Sequence, residues 1–354
     1  MAIIKIIPPP VHKRYANSRQ SNIELLRIVA MMLVLVLHSG FISTKCPTTT
    51  EVHIQHLQSF TRFLFQSLSI SCVDIFVIIS GWFGIRQTKR GLFNFLFQAF
   101  YFIAGVYLVM VICGQLTLSA EEIASCFLFI KDYDYWFVRT YLLLFIISPI
   151  LNAFVDVTDK YTFKRVLIGF FLFQSVYAWG YTAVNAFAGG YSTISFMGLY
   201  LLARYVRVYG PSWAKWSIYK DLLVIISCVL AMATTSFTTA YLGHPMAGKF
   251  CDSDICPLVI ILSVFMVIMF SKFKVQSKFI NWVAASCFAV YLFHTHITIL
   301  YDYFKPTVIK LYSDYEGITC LGTIGLFLLI MFSLAIILDQ PRKYIWRVLS
   351  NKLL

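Results

Sequence analysis

Charged side chains are scarce in this chain. Asp, Glu, Lys and Arg make up 13% of its 354 residues, about half the share found in soluble domains. Hydrophobic residues make up 59%, and this balance excludes a soluble globular protein. Acidic residues are the scarcer sign, 16 against 29 Lys and Arg. In a soluble protein that surplus would point to nucleic acid. Between long apolar runs it is the pattern of basic loops that orient membrane helices, so no nucleic-acid partner is expected. The chain also lacks a Gly-rich phosphate loop, a Cys-x-x-Cys pair and zinc-ligand spacing, and no metal is expected. Its nine cysteines are odd in number and scattered. Cys251 and Cys256 are close enough in sequence for a disulfide in an oxidising compartment. The first twenty residues are polar, basic and rich in proline (Pro8 to Pro10), with no small-residue cleavage site beyond, so a cleavable signal peptide is not expected.

What is present is a succession of apolar runs. Ten are long enough to read as spans: 22–42, 61–84, 92–117, 135–155, 166–187, 191–209, 221–242, 257–271, 280–303 and 319–338. Lys and Arg distribute unevenly around them. With the termini on one side, 21 of the 29 fall on that side and six on the other, while Arg27 and Arg139 lie within spans. Basic loops stay in the cytoplasm. The expected fold is therefore an all-α polytopic membrane bundle of about ten helices with both termini cytoplasmic. Residues 1–20 form a basic tail, 21–348 the membrane domain and 349–354 a short C-terminal tail. The polar stretch 119–134 is too short to span and fits the membrane interface.

Few residues in the spans can carry chemistry. In the first, Arg27 and His38 are eleven residues apart. That is close to three helical turns, so both face one way, ~16 Å apart along the axis. Arg27 reads as a snorkelling cation or as a phosphate clamp. His38 reads as a satisfied core residue or as a general base suited to neutral pH. Asp74 lies mid-span, where a carboxylate needs a partner. Ser80 and Gly81 after it allow close approach of a helix or ligand. Arg86, Lys89 and Arg90 follow, as topology signals or as a basic mouth. Arg139 follows an aromatic cluster at the outer end of the fourth span. His294 and His296, two residues apart, point away from each other on a helix and make a poor metal pair. Glu51, His53 and His56 sit in an outer loop, where a solvated role is the plainer reading.

Taken together, the motifs resemble the acyltransferase-3 family of integral membrane acyltransferases. The family's basic residue, ten residues and then His correspond to Arg27 and His38. Its VD-x-F-F-x-I-S-G pattern corresponds to Val73 to Gly81, with Asp74 and Ser80 in place. Trp136-Phe137 and Ile147-Ser148-Pro149 match a Trp-Phe segment leading to Leu-Ser-Pro. Cys287 to His294 matches S-x-G-I-Y-L-x-H, with Cys287 where Ser is usual and Ala289 where Gly is usual. The family's R-x-x-R reads Arg86 and Lys89 here, with Arg90 one residue later. The resemblance covers about 20–348, and the soluble hydrolase-like domain of some members is absent.

The resemblance implies an O-acetyltransferase of the bacterial cytoplasmic membrane. It would take acetyl-CoA as donor from the cytoplasm and a carbohydrate hydroxyl on the outer side as acceptor, in a surface polysaccharide or its lipid-linked precursor. His38 and Asp74 would be catalytic, and Arg27, Arg86 and Arg90 would hold the nucleotide end of coenzyme A. Ser80, Arg139 and His294 would line the path. Another short acyl donor and self-association into a homodimer stay open. A transporter or flippase of an envelope precursor, using the buried charges as a relay, is the alternative from another class.

Overall fold

A computed structural model describes residues 19–128, 135–181, 184–244, 246 and 248–353. The basic N-terminal tail up to residue 18 and Lys131 lie outside them. Among the described residues the secondary structure is entirely helical. The first run is helix α1 (Ser21–Ser39), continued by the short α2 (Phe41–Thr44). A loop helix α3 (Thr49–Ile54) leads to α4 (His56–Ser69) and α5 (Cys72–Phe83), which together form the second span. Helices α6 (Lys89–Ile112) and α8 (Trp136–Val157) follow, with the nine-residue α7 (Ala120–Leu128) between them, too short to cross. Then come α9 (Lys160–Phe171), prolonged by a π-helical stretch Leu172–Ala178, α10 (Thr193–Tyr209), α11 (Ile218–Tyr241) and α12 (Pro257–Ser271). The chain closes with α13 (Lys278–Ala284), α14 (Cys287–His294), α15 (Lys305–Asp314) and α16 (Gly317–Leu353).

Six of these helices are long and apolar enough to cross a bilayer, or seven if the pair Lys278–His294 and Ile299–Asp314, bent by 81°, counts as one. Ten were expected. The other three segments, at 160–178, 193–209 and 257–271, are helical but shorter or more polar than a full span. The ninth span was expected at 280–303. It breaks after Ala284 and again after His294.

The element at the centre is α1, which packs against α4, α5, α12, α13 and α14. Helix α12 is apolar on every side, and eleven of its fifteen residues are buried; a helix of that composition belongs inside a bundle. The peripheral helices carry apolar stripes outward instead. Leu143, Ile146 and Ile150 on α8, and Leu326, Ile330 and Leu334 on α16, are exposed at helical spacing and present a face to lipid. Helices α5 and α10 meet most closely at Gly81. A Cβ there would lie 2.5 Å from the Tyr200 carbonyl oxygen and 2.8 Å from the Ala203 Cβ, so only glycine allows the two backbones this approach.

One buried polar cluster joins α6 to α16. Asp339 on α16 accepts hydrogen bonds from Arg342 Nε (2.8 Å), Arg342 Nη2 (3.0 Å) and Gln98 Nε2 (3.2 Å), while Arg342 Nη1 donates to Asn94 Oδ1 (2.9 Å). Both partners of the ion pair are almost fully buried. Removing one leaves the other buried and unpaired, which costs about 3–5 kcal/mol. Asp339→Ala should therefore lower the apparent melting temperature of detergent-solubilised protein sharply. Asp339→Ala combined with Arg342→Met should recover part of the loss; a double variant no better than the single one would assign Asp339 a different role.

Candidate active site

A cavity of about 360 Å³ runs along α1. Arg27, Met31, Val34 and His38 of this helix line it, spaced by three or four residues as one helical face requires, with Leu37 beside them and Ile42 of α2 beyond. Arg19, Arg27, Asn94 and Gln98 surround one end. Phe76, Ser80, Phe95, Tyr141 and Phe288 line the middle, and His38, Cys72, Trp136 and Tyr191 the far end.

At the far end His38 meets His294. Their rings are 4.8 Å apart at 61°, and His38 Nδ1 lies 3.1 Å from His294 Nε2. His294 Nδ1 lies 2.6 Å from the Val290 carbonyl oxygen. This network assigns the tautomers. A carbonyl oxygen only accepts, so His294 carries its proton on Nδ1. Neutral His294 can then only accept at Nε2, and His38 must donate from Nδ1. His38 Nε2 is left with its lone pair, which is what a general base requires. His294 ends α14, and a helix C-terminus favours a nearby positive charge.

Asp74 is not the group that holds His38. Val73, Phe76 and Ser80 line the cavity at i, i+3 and i+7, and Asp74 is rotated off that stripe. It is buried, and its Oδ2 has no hydrogen-bond partner among the described residues. The role of orienter, expected of Asp74, falls geometrically to His294.

At the opposite end Arg27 pairs with Glu24 at 3.3 Å and keeps about a third of its side chain exposed (35%). Arg19 Nη1 donates to the Asn281 carbonyl (3.0 Å) and shares the mouth. Arg86 and Arg90, expected beside Arg27, do not line the cavity. Gly84 at φ +76° turns the chain out of α5. The following loop is pinned away from the mouth: Tyr200 accepts from Ile85 N, Asn152 Nδ2 donates to Ile85 O, and Gln87 Nε2 donates to Phe145 O. Arg86 is consequently exposed, and Arg90 turns to Ser350 Oγ (3.4 Å).

Ser80 lines the cavity and donates to Phe76 O (2.9 Å), so the Tyr141 hydroxyl at 3.1 Å is the donor to Ser80. Arg139 is half-buried on α8, off the cavity lining. In the loop between α2 and α4, Glu51 caps α3: hydrogen bonds from the Thr48 backbone and side chain hold its carboxyl below the usual range. His53 Nε2 bonds the Tyr241 carbonyl (3.0 Å). Cys251 and Cys256 are separate thiols.

Sequence reasoning passed over Arg19, Asn94, Gln98, Tyr141, Phe288 and Tyr191. For Asn94 and Gln98 a signal existed: two amides four residues apart in an otherwise apolar helix share a face. For the rings no signal distinguishes lining from packing.

A helical membrane bundle enclosing a paired imidazole at one end of a cavity and guanidinium groups at the other has the parts of an acyl-transfer enzyme. The chain belongs to the acyltransferase-3 family, whose acyltransferase domain matches residues 20–338. It is thus a membrane acyltransferase. Neither the curated proteins nor the solved structures contain a match to it.

Proposed function

We propose that this protein moves an acetyl group from acetyl-CoA in the cytoplasm to a hydroxyl of an extracytoplasmic carbohydrate, a surface polysaccharide or its lipid-linked precursor. The observation that carries this reading is one cavity with guanidinium groups at one end and the His38–His294 pair at the other. Coenzyme A is polyanionic at its nucleotide end and slender beyond it. Arg19 and Arg27 suit the phosphates, with the Asn94 and Gln98 amides beside them. The ~16 Å from Arg27 to His38 matches a neutral arm that ends in a thioester, which supplies the activated acyl carbon. His38 Nε2 takes the proton of the acceptor hydroxyl as its oxygen attacks that carbon. The new ester forms, the carbon–sulfur bond breaks, and the proton on His38 passes to the sulfur, so coenzyme A leaves as the thiol and His38 is restored. His294 stabilises the imidazolium formed on His38 by accepting from its Nδ1.

Charge-assisted phosphate contacts contribute roughly 1.5–3 kcal/mol each, about ten- to a hundredfold in affinity. Arg27→Ala should weaken coenzyme A binding to purified protein by that factor. Unchanged affinity would return Arg27 to pairing with Glu24 alone.

The reading needs the Arg27 end in the cytoplasm, with ten crossings and both termini there. Reporter fusions after Arg90, Lys164, Lys215 and Lys274 should report cytoplasm, and those at Thr49, Gly248 and Tyr312 the outside. One reversed site breaks this topology.

A further inference from the structure

A second cavity, of about 570 Å³, lies among the loops that follow α9 and α11. Its volume falls within the roughly 300–1,000 Å³ of small-molecule sites. Trp179, Tyr181, Asn185, Lys249, Asp252 and Ser253 line it. We propose that this cavity is the subsite that holds a sugar ring of the acceptor; the assignment rests on the acetyltransferase reading above.

Position is the first argument. The two cavities share a thin wall at the His38 end. The wall is the turn Ala188–Gly190 laid against residues 252–254. Gly189 lines the second cavity, and Tyr191, two residues on, lines the first, with its ring 4.5 Å from that of Trp136. Asp254 N donates to the Gly189 carbonyl (3.1 Å), and a Cβ on Gly190 would overlap the Asp254 side chain. A ring seated in the second cavity is therefore separated by one turn of chain from the cavity that His38 lines.

Chemistry is the second argument. The lining holds one cation and one anion, which does not favour a phosphate. It offers an ammonium and an amide as donors, a carboxylate as acceptor, and a hydroxyl that does both. Vicinal hydroxyls of a sugar donate and accept in the same way. Trp179 and Tyr181 add aromatic surface, whose negative faces attract the C–H groups of a sugar ring. Lys249 Nζ already lies 5.2 Å from the centre of the Trp179 ring and donates to the Gly180 carbonyl (3.2 Å).

Two further observations fit an unfilled polar site. Trp179 Nε1 is buried without a hydrogen-bond partner among the described residues, and so are both carboxylate oxygens of Asp254 in the wall; buried polar groups in proteins are nearly always satisfied. The wall also holds one strained residue: Ala188 takes φ of +45°, a left-handed conformation that residues with a Cβ rarely adopt, while Gly189 and Gly190 follow at +66° and +115° without that cost. Backbone strain of this kind gathers at ligand sites.

Saturation-transfer NMR on the purified full chain tests this. The probes are methyl glycosides of glucose, galactose, rhamnose and N-acetylglucosamine, with glycerol phosphate as the anionic comparison. At least one glycoside should receive saturation. Asn185→Ala and Tyr181→Ala, both at exposed positions, should reduce it at least fivefold, and Trp179→Ala further. Saturation of no glycoside, saturation of glycerol phosphate alone, or glycoside saturation equal in Asn185→Ala and Tyr181→Ala overturns the subsite. Those results leave the transferase reading standing, because that reading is tested separately, by transfer of labelled acetyl from acetyl-CoA in membranes, and falls if no transfer is seen there.

Discussion

His38→Ala should reduce acetyl transfer by about 10²–10⁴-fold, the usual contribution of a general base. The lone pair on His38 Nε2 exists because Nδ1 is committed to His294, 3.1 Å away. Alanine removes the base and leaves the rest of the cavity standing. Coenzyme A binding should hardly change, since the guanidinium end lies three helical turns away. Labelled acetyl transfer in membranes, normalised to protein level, is the measurement. Near-normal transfer by His38→Ala would sink the mechanism.

The second large effect is expected at His294. It accepts the proton that fixes the His38 tautomer, and it is fully buried. His294→Leu leaves His38 Nδ1–H without an acceptor. A buried donor left unsatisfied costs about 1–3 kcal/mol, or roughly five- to a hundredfold. The loss should fall on turnover and not on donor affinity, and the pH profile of turnover should shift, because the imidazolium loses its partner. His38→Ala with His294→Leu should be little worse than His38→Ala, as residues that act together are not additive. Asp74→Asn is the decisive control. If it reproduces the turnover loss and His294→Leu does not, the relay runs through Asp74 and the arrangement proposed here is wrong.

The helix face that carries Arg27 and His38 was legible in the sequence, because an eleven-residue interval on one helix needs no tertiary information. Met31 and Val34 follow from the same periodicity and line the same cavity. The His38–His294 bond was not legible. The two residues are 256 apart in the chain, and only the packing of α14 against α1 joins them. Asp74 shows the reverse. Its depth was readable, but a rotation of ~100° per residue takes it off the stripe that Val73 begins. Arg86 and Arg90 fit a basic mouth by sequence; Gly84 and the hydrogen bonds at Ile85 and Gln87 carry them elsewhere. Ten apolar runs became six or seven helices of full span because α9, α10 and α12 hold only 12, 17 and 15 residues.

The aromatic residues in the middle of the cavity have an electrical consequence. Phe95 and Phe288 stack at 5.2 Å and 15°, and Phe137 and Tyr141 at 5.6 Å and 20°. Such a collar is an insulator: it offers an ion almost nothing to replace its hydration shell. Each elementary charge crossing a membrane at 100 mV exchanges about 2.3 kcal/mol with the field, so an unguarded channel would discharge the cell. On the proposed reading the phosphates stay at the Arg27 end, and only a neutral arm would enter the collar. The acetyl group would then cross without carrying current, and its passage would be indifferent to membrane voltage.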